Sequence, residues 1–340
     1  MNPALTSTPS LAFTPPDAPA VPSHAEARRQ MLRGQEKEFA ALRRLDTGQR
    51  LREMAFFGAL FLGGMAVNYL GCRLAPGGWP VALRVLGTLG TAIAINTFIL
   101  HMHEGMHQTL FANRFWNRWA SVALGATFCL SFTSYRIMHL RHHQYLGDVR
   151  DPDDYRNYVR NRCVLWVMHY LRLVVGPYLY IVMIPFLAAR HGSPADRQHI
   201  LAEYLALAPF YLALFFIAPS GVLVSLWLIP LIIAAHLTAI RGLTQHGITN
   251  AQDPFLASRS IQANPLVAFC LLNENYHLEH HLFPEIPSYN LKEAHRLIWP
   301  RLPRAVTGKS YLAFIFKFLA ATVKLDETPI GFTELLGWEV

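Results

Sequence analysis

The sequence is poor in charge and in cysteine. Charged residues make up 15% of 340 positions, against roughly 25% in a soluble globular domain, so an ordinary soluble enzyme is a poor fit. The 4 cysteines, Cys72, Cys129, Cys163 and Cys270, contain no CxxC pair, which speaks against a disulfide framework and a thiolate zinc site. There is no GxGxxG turn for a dinucleotide and no cysteine set for an iron–sulfur cluster. No basic start runs at once into an apolar stretch, so a signal peptide is not expected. The formal charge of +8 comes mostly from arginines lying between apolar segments. No folded basic domain is left to hold a phosphate backbone, and nucleic acid is not expected as a partner.

What is abundant is apolar sequence, 52% of the chain, and histidine, with 16 residues. Met54 to Cys72 carries no charge and is long enough to cross a hydrocarbon layer of ~30 Å as a helix. Val81 to Leu100 is a second such segment, joined to the first by a short link rich in Gly and Pro, so the two form a hairpin. Ala202 to Ala218 and Val222 to Ile240, separated by Pro219, Ser220 and Gly221, form another. Arginines flank the open ends of both hairpins, which places those ends in the cytoplasm. Trp119 to Thr133 and Val164 to Ala189 are read as interfacial or re-entrant helices, because a single crossing would separate the histidine clusters around it.

The expected architecture is an all-α integral membrane protein: two transmembrane hairpins of about four spans, interfacial helices, and a histidine-rich cytoplasmic cap. Residues 1–50 are expected to be disordered, most clearly over the Pro-, Ala-, Ser- and Thr-rich 1–23, then basic and cytoplasmic. Residues 51–305 form the membrane domain and 306–340 a cytoplasmic tail.

Three clusters hold half of the histidines: His103 and His107 in HEGMH, His139, His142 and His143 in HLRHH, and His277, His280 and His281 in HLEHH. Spacings of three and four put the imidazoles of each cluster on one helix face. Eight imidazoles without cysteine over-supply one zinc ion and suit two metal ions. Imidazole alone does not select the metal.

These boxes, with Asn275, Tyr276 and the LFPEIP that follows, resemble the membrane fatty acid desaturase superfamily over about residues 55 to 300. That superfamily includes alkane and carotenoid oxygenases. The resemblance implies a non-haem di-iron enzyme that uses O2 and two electrons to attack an unactivated C–H bond. It assigns the eight box histidines as ligands and adds a ninth after the last span, His246, ahead of its rival His236 inside that span. Glu104, Asp148 and Asn275 become candidates for orienting the ligands. No separate catalytic residue is implied.

The implied reaction is desaturation of an acyl chain, with a carotenoid or lipid hydroxylase or ketolase as the alternative. Electrons would come from an external ferredoxin or small haem protein, since the chain has no fused His-Pro-Gly-Gly haem segment. Arg114, Arg118, Arg136, Arg141 and Arg150 could attract that donor or touch anionic lipid. Membrane lipids and a lipid or acyl substrate complete the expected partners, and the expected location is a bacterial inner membrane or its equivalent, with the site facing the cytoplasm.

A rival from another class is an intramembrane zinc protease, which would read His103, Glu104 and His107 as HExxH, with Glu104 as general base. It leaves six clustered histidines without a task and needs an acid on a later span, where only Glu203 stands at an edge. A metal transporter would instead place its ligands at the membrane midplane. His101 is expected behind the ligand face, and His24, His169, His191, His199 and His295 receive no role.

Overall fold

The computed structural model describes residues 21–322, apart from 147, 149, 155–156, 159–160 and 250–252. Residues 1–20 of the stretch expected to be disordered lie outside the described residues. In chain order the helices are α1 (His24–Leu32), α2 (Glu36–Leu42), α3 (Thr47–Arg73), α4 (Gly78–Met106), α5 (Arg114–Ala126), α6 (Phe132–Tyr145) and α7 (Arg162–Leu171). They continue as α8 (Gly176–His191), α9 (Pro194–Ile217), α10 (Ser220–His246), α11 (Pro265–Cys270), α12 (His277–Leu282), α13 (Leu291–Ile298) and α14 (Tyr311–Thr322). Among the described residues, four helices are long and apolar enough to cross a membrane: α3, α4, α9 and α10. The protein is an all-α integral membrane protein.

The first hairpin closes without side chains between its backbones. A Cβ on Gly87 would sit 2.4 Å from the Asn68 nitrogen and 2.5 Å from the Gly64 carbonyl. Small residues at such a crossing let two membrane helices approach closely. A π turn at Val224–Leu228 interrupts α10, and Ser225 in that turn accepts through its carbonyl from Asn68 Nδ2 at 2.9 Å, which also donates to Thr88 Oγ1 at 2.9 Å. Asn68 is buried and ties the second hairpin to the first.

Both inner helices run beyond their apolar segments. The sequence places their ends near Leu100 and Ile240, whereas α4 reaches Met106 and α10 reaches His246. The extensions contain no proline, and most of their polar residues are buried against the protein. They carry the first box and His246 on rigid stems. Arg259, fully buried, donates to the Thr244 carbonyl at 2.6 Å and the Ile248 carbonyl at 2.7 Å, satisfying groups that the end of α10 would leave open.

The two intermediate apolar stretches are each broken. Trp119 to Thr133 splits into α5, capped by Asn113, and α6, capped by Ser131, with Cys129 at φ 60° in the turn between. The 13 residues of α5 extend about 20 Å, too short for the hydrocarbon layer. Phe115, Trp116 and Trp119 of α5 are exposed, as suits a helix at a membrane interface. Val164 to Ala189 splits into α7 and α8, of 10 and 16 residues. Glu203 of α9 is buried and accepts from Ser131 Oγ, Thr133 N, Thr133 Oγ1 and Arg118, so it anchors the start of α6.

The expected boundary at residue 305 does not appear. Strand β1 (Arg259–Ile261) pairs in parallel with β2 (Val306–Gly308), and Phe314 and Phe318 of α14 are buried with Leu243 of α10. At the other end α1 and α2 bury Ala27, Met31 and Phe39 against Leu278, Leu282, Phe283 and Ile286, and Arg28 and Arg43 pair with Glu285 at 2.6 and 2.9 Å. Residues 24–42 and 306–322 therefore belong to the cap over the histidines. Their apolar runs are too short to show as spans, yet those of α1 and α2 cover α12 and those of α14 cover the end of α10.

Candidate metal centre

Four helices deliver the histidines. His103 lies in the last turn of α4 and His107 directly after it, His139, His142 and His143 lie on α6, His246 ends α10, and His277, His280 and His281 lie on α12. They converge as two adjoining groups. The nitrogens of His103, His107, His139, His143 and His280 can all lie within 4.8 Å of one another, as can those of His142, His246 and His281. His277 joins the second group, its Nε2 being 2.8 Å from His246 Nε2 and 3.2 Å from His281 Nε2. In the first group, His107 and His139 bring their Nε2 atoms to 2.7 Å, and across its edge His143 and His280 bring theirs to 3.2 Å.

This donor set fits metal ions. His103 Nε2 is buried without a hydrogen-bond partner, a cost of about 1–3 kcal/mol, and the Nε2 atoms of His107 and His139, of His143 and His280, and of His277 with His246 and His281 meet at 2.7–3.2 Å. Convergent lone pairs with no proton donor between them are what a cation satisfies. Burial, with neighbouring imidazoles adding to it, holds His139, His143 and His281 well below the usual histidine range. His107 and His280 are also well below it, burial outweighing the opposing pull of Glu274. His277 is lowered to about 4, again by burial against Glu274. Neutral imidazoles are the form that ligates.

Two acids orient the rings. Glu274, fully buried, places Oε1 3.4 Å from His103 Nδ1 and 3.8 Å from His280 Nδ1, and Oε2 3.3 Å from His277 Nδ1. Burial alone would raise its pKa, but His280 and His103 hold it well below the usual carboxylate range. One carboxylate thus touches both groups. Leu272 and Asn273, at φ 48° and 59°, turn the chain just before it, and Gln245 donates to its carbonyl at 2.6 Å. Asp151 lies 3.0 and 3.1 Å from His142 Nδ1 and raises that histidine against the effect of burial. A carboxylate behind a ligand imidazole fixes its tautomer and ring plane.

The sequence missed Glu274 and put Asp148 ahead of Asp151. Asp148, singled out from the same loop as Asp151, instead accepts from Arg150 Nε at 2.7 Å, is partly exposed, and meets no histidine. Asn275 spans to β1, donating to the Ile261 carbonyl at 3.0 Å and accepting from Ile261 N at 2.8 Å. It steadies the strand beneath the third box rather than a ring. Glu104 lies near His103 and Glu274, but it is bound by the fully buried Arg50 and by Ser288 N at 3.0 Å. A general base in a zinc protease would need that carboxylate free.

The other histidines also separate. His101 is buried, with Nδ1 3.0 Å from the Thr97 carbonyl. His236 bonds the Ile232 carbonyl at 2.8 Å and stands apart from both groups. His24 and His295, given no role from sequence, flank the third box: His24 Nε2 is 2.9 Å from the His281 carbonyl and His295 Nδ1 is 2.6 Å from Glu279. The spacing of Glu274 three residues before His277 was the one available signal for that acid.

Two membrane-spanning helices and two shorter ones that gather nine imidazoles into two groups, braced by a shared carboxylate, define a histidine-rich membrane protein built to bind metal. The fatty acid desaturase family profile matches residues 77–312, which include all nine, and the chain belongs to that family. Desaturation removes hydrogen from a substrate, so the family is one of oxidoreductases. Similar proteins include the sphingolipid delta(4)-desaturase DES1 of Gallus gallus, 28% identical over 217 residues, 58% of this chain and 59% of the relative. The sphingolipid delta(4)-desaturase/C4-monooxygenase DES2 of Rattus norvegicus is 29% identical over 246 residues, 66% of this chain and 69% of the relative. The chain thus spans 59% of the length of the first and 69% of the second.

Proposed function

We propose that the protein is an oxygen-dependent desaturase that places a double bond in the long apolar chain of a membrane lipid, with two irons held by the nine histidines. The observation that carries this reading is the gathering of those histidines into two groups that share Glu274. Bound there, the irons would supply the chemistry with O2 that opens an unactivated C–H bond. The balance is one CH2–CH2 unit, one O2, two electrons and two protons in, and one CH=CH unit and two waters out.

The chain's own part is to hold and to enclose. Glu274 and Asp151 fix the ring planes, and α1, α2 and α13 cover α12 on the side away from the spans. Phe98, Phe132, Met138 and Leu272 belong to the apolar core among α4, α6 and the spans, a surrounding that suits a hydrocarbon chain. The sequence favours an acyl chain as substrate. The similarity to sphingolipid desaturases favours a sphingolipid, and the similarity to a desaturase/C4-monooxygenase supports hydroxylation as the second reading. Arginine placement supports a cytoplasmic site in a bacterial inner membrane or its equivalent, fed by a ferredoxin or small haem protein.

The test is lipid analysis of cells with and without the gene, alongside metal analysis of the purified chain. A lipid lighter by two hydrogens, with two irons per chain, is expected. A lipid heavier by one oxygen would move the assignment to hydroxylase, and a single zinc with peptide cleavage would overturn it.

A further inference from the structure

A depression of about 560 Å³ opens on the outer face of α13, lined by Tyr276, Tyr289, Lys292, His295, Arg296 and Trp299 among others. None of the four spans lines it, so a water-soluble protein could reach it. Its floor is aromatic and continuous. The ring centroids of Trp299 and His295 are 4.9 Å apart and those of His295 and Tyr276 are 4.8 Å apart. Trp299 is 40% exposed, whereas Tyr276 directly precedes His277.

The same floor is joined to both histidine groups. His295 is bonded to Glu279, which stands between His277 and His280. On the opposite wall, the Arg50 guanidinium lies 4.9 Å from the Tyr289 ring centre and pairs with Glu104, the neighbour of His103. The rim is basic. Lys292 and Arg296 are exposed, as are Arg301, five residues further on, and Arg33, whose carbonyl accepts from Arg301 at 2.8 Å. Glu293 is the one acid among the lining residues, and it is paired with Arg296 at 2.8 Å. By contrast, the α5 arginines suggested from sequence sit badly for a soluble partner: Arg118 is engaged by Glu203 at 3.1 Å, and its helix exposes Phe115, Trp116 and Trp119.

We propose that this depression docks an acidic one-electron carrier protein, and that Trp299, His295 and Tyr276 conduct its electrons to the centre at His277. The inference rests on the desaturase reading. Each docking oxidises one carrier by one electron and delivers that electron to the centre, and two dockings supply the pair that one turnover consumes. The closely spaced, mutually tilted rings shorten the gaps across which the electron tunnels and are not themselves oxidised. Opposite charge steers such encounters and makes them sensitive to salt.

The experiment uses the full iron-loaded chain in detergent and an acidic plant-type [2Fe–2S] ferredoxin as probe. Binding is measured at low and high salt, and reduction of the iron is followed by its absorbance. Parent protein should bind at low salt and lose affinity at high salt. Lys292→Glu with Arg296→Glu, both on the surface, should weaken binding at least tenfold, while Arg114→Glu leaves it unchanged. At ferredoxin concentrations that saturate each protein, Trp299→Leu should slow ferredoxin-driven reduction at least fivefold, and Trp299→Phe should restore most of it. Dithionite, which needs no docking, should reduce all variants alike. Equal affinity for the charge-reversed variant, reduction at the parent rate in Trp299→Leu, or no binding by the parent would each overturn the inference alone. An iron centre that even dithionite fails to reduce would overturn the desaturase reading instead.

Discussion

Glu274 does more for the centre than any acid inside the boxes, because its two oxygens face His103, His277 and His280 at 3.3–3.8 Å. Glu274→Gln keeps the shape and removes the charge that orients those rings. Loss of a carboxylate behind a ligand histidine costs on the order of 10–100-fold in metal affinity. The variant is therefore expected to fold with an unchanged helical spectrum and to bind iron at least tenfold more weakly in a metal titration. Affinity equal to the parent would mean that the acid is a bystander. The nine imidazoles were legible because their spacing is a property of one helix at a time, or, for His246, of its place after a span. Glu274 and His295 were not, and Asp151 could not be told from its loop neighbour Asp148, because each meets its partner through turns such as the one at Leu272 and Asn273, which only the assembled cap defines.

Helix existence was legible from the length of apolar runs, and helix ends were not. The last turns of α4 and α10 look polar in sequence, yet they are buried by α6, α12 and Arg259, contacts that no local pattern encodes. The interior of the first hairpin offers a sharper test. Any Cβ at Gly87 collides with backbone atoms of Gly64 and Asn68, whereas Gly58 and Gly63 on α3 have nothing within 4 Å. Gly87→Val is expected to part α3 from α4 and break the Asn68 bond to Ser225, and overpacking of this kind typically costs about 1–3 kcal/mol. Thermal unfolding in detergent should fall by several degrees for Gly87→Val and stay near the parent value for Gly63→Ala. Equal unfolding temperatures would show that the hairpin tolerates a wider crossing.

For the molecule as a whole, a set of neutral buried imidazoles sets the response to acid. His107, His139, His143, His280 and His281 are held below the ordinary range and His277 at about 4, so between that value and about 6.5 the unfolded chain binds more protons than the folded one. Stability of the metal-free protein is then full above about pH 6.5 and drains away as pH falls toward 4. His142, which is raised, acts in the opposite sense but is outnumbered. The unfolding temperature of metal-free protein should drop between pH 7 and pH 5, and a flat profile would contradict a neutral histidine set. The division of the ligands also governs assembly during synthesis. The five-membered group needs His280 and the other needs His277 and His281, so neither is complete until the ribosome has passed the last box. A nascent chain with both hairpins already inserted holds at most partial coordination, and the centre closes only when the final third of the polypeptide folds back over the membrane surface.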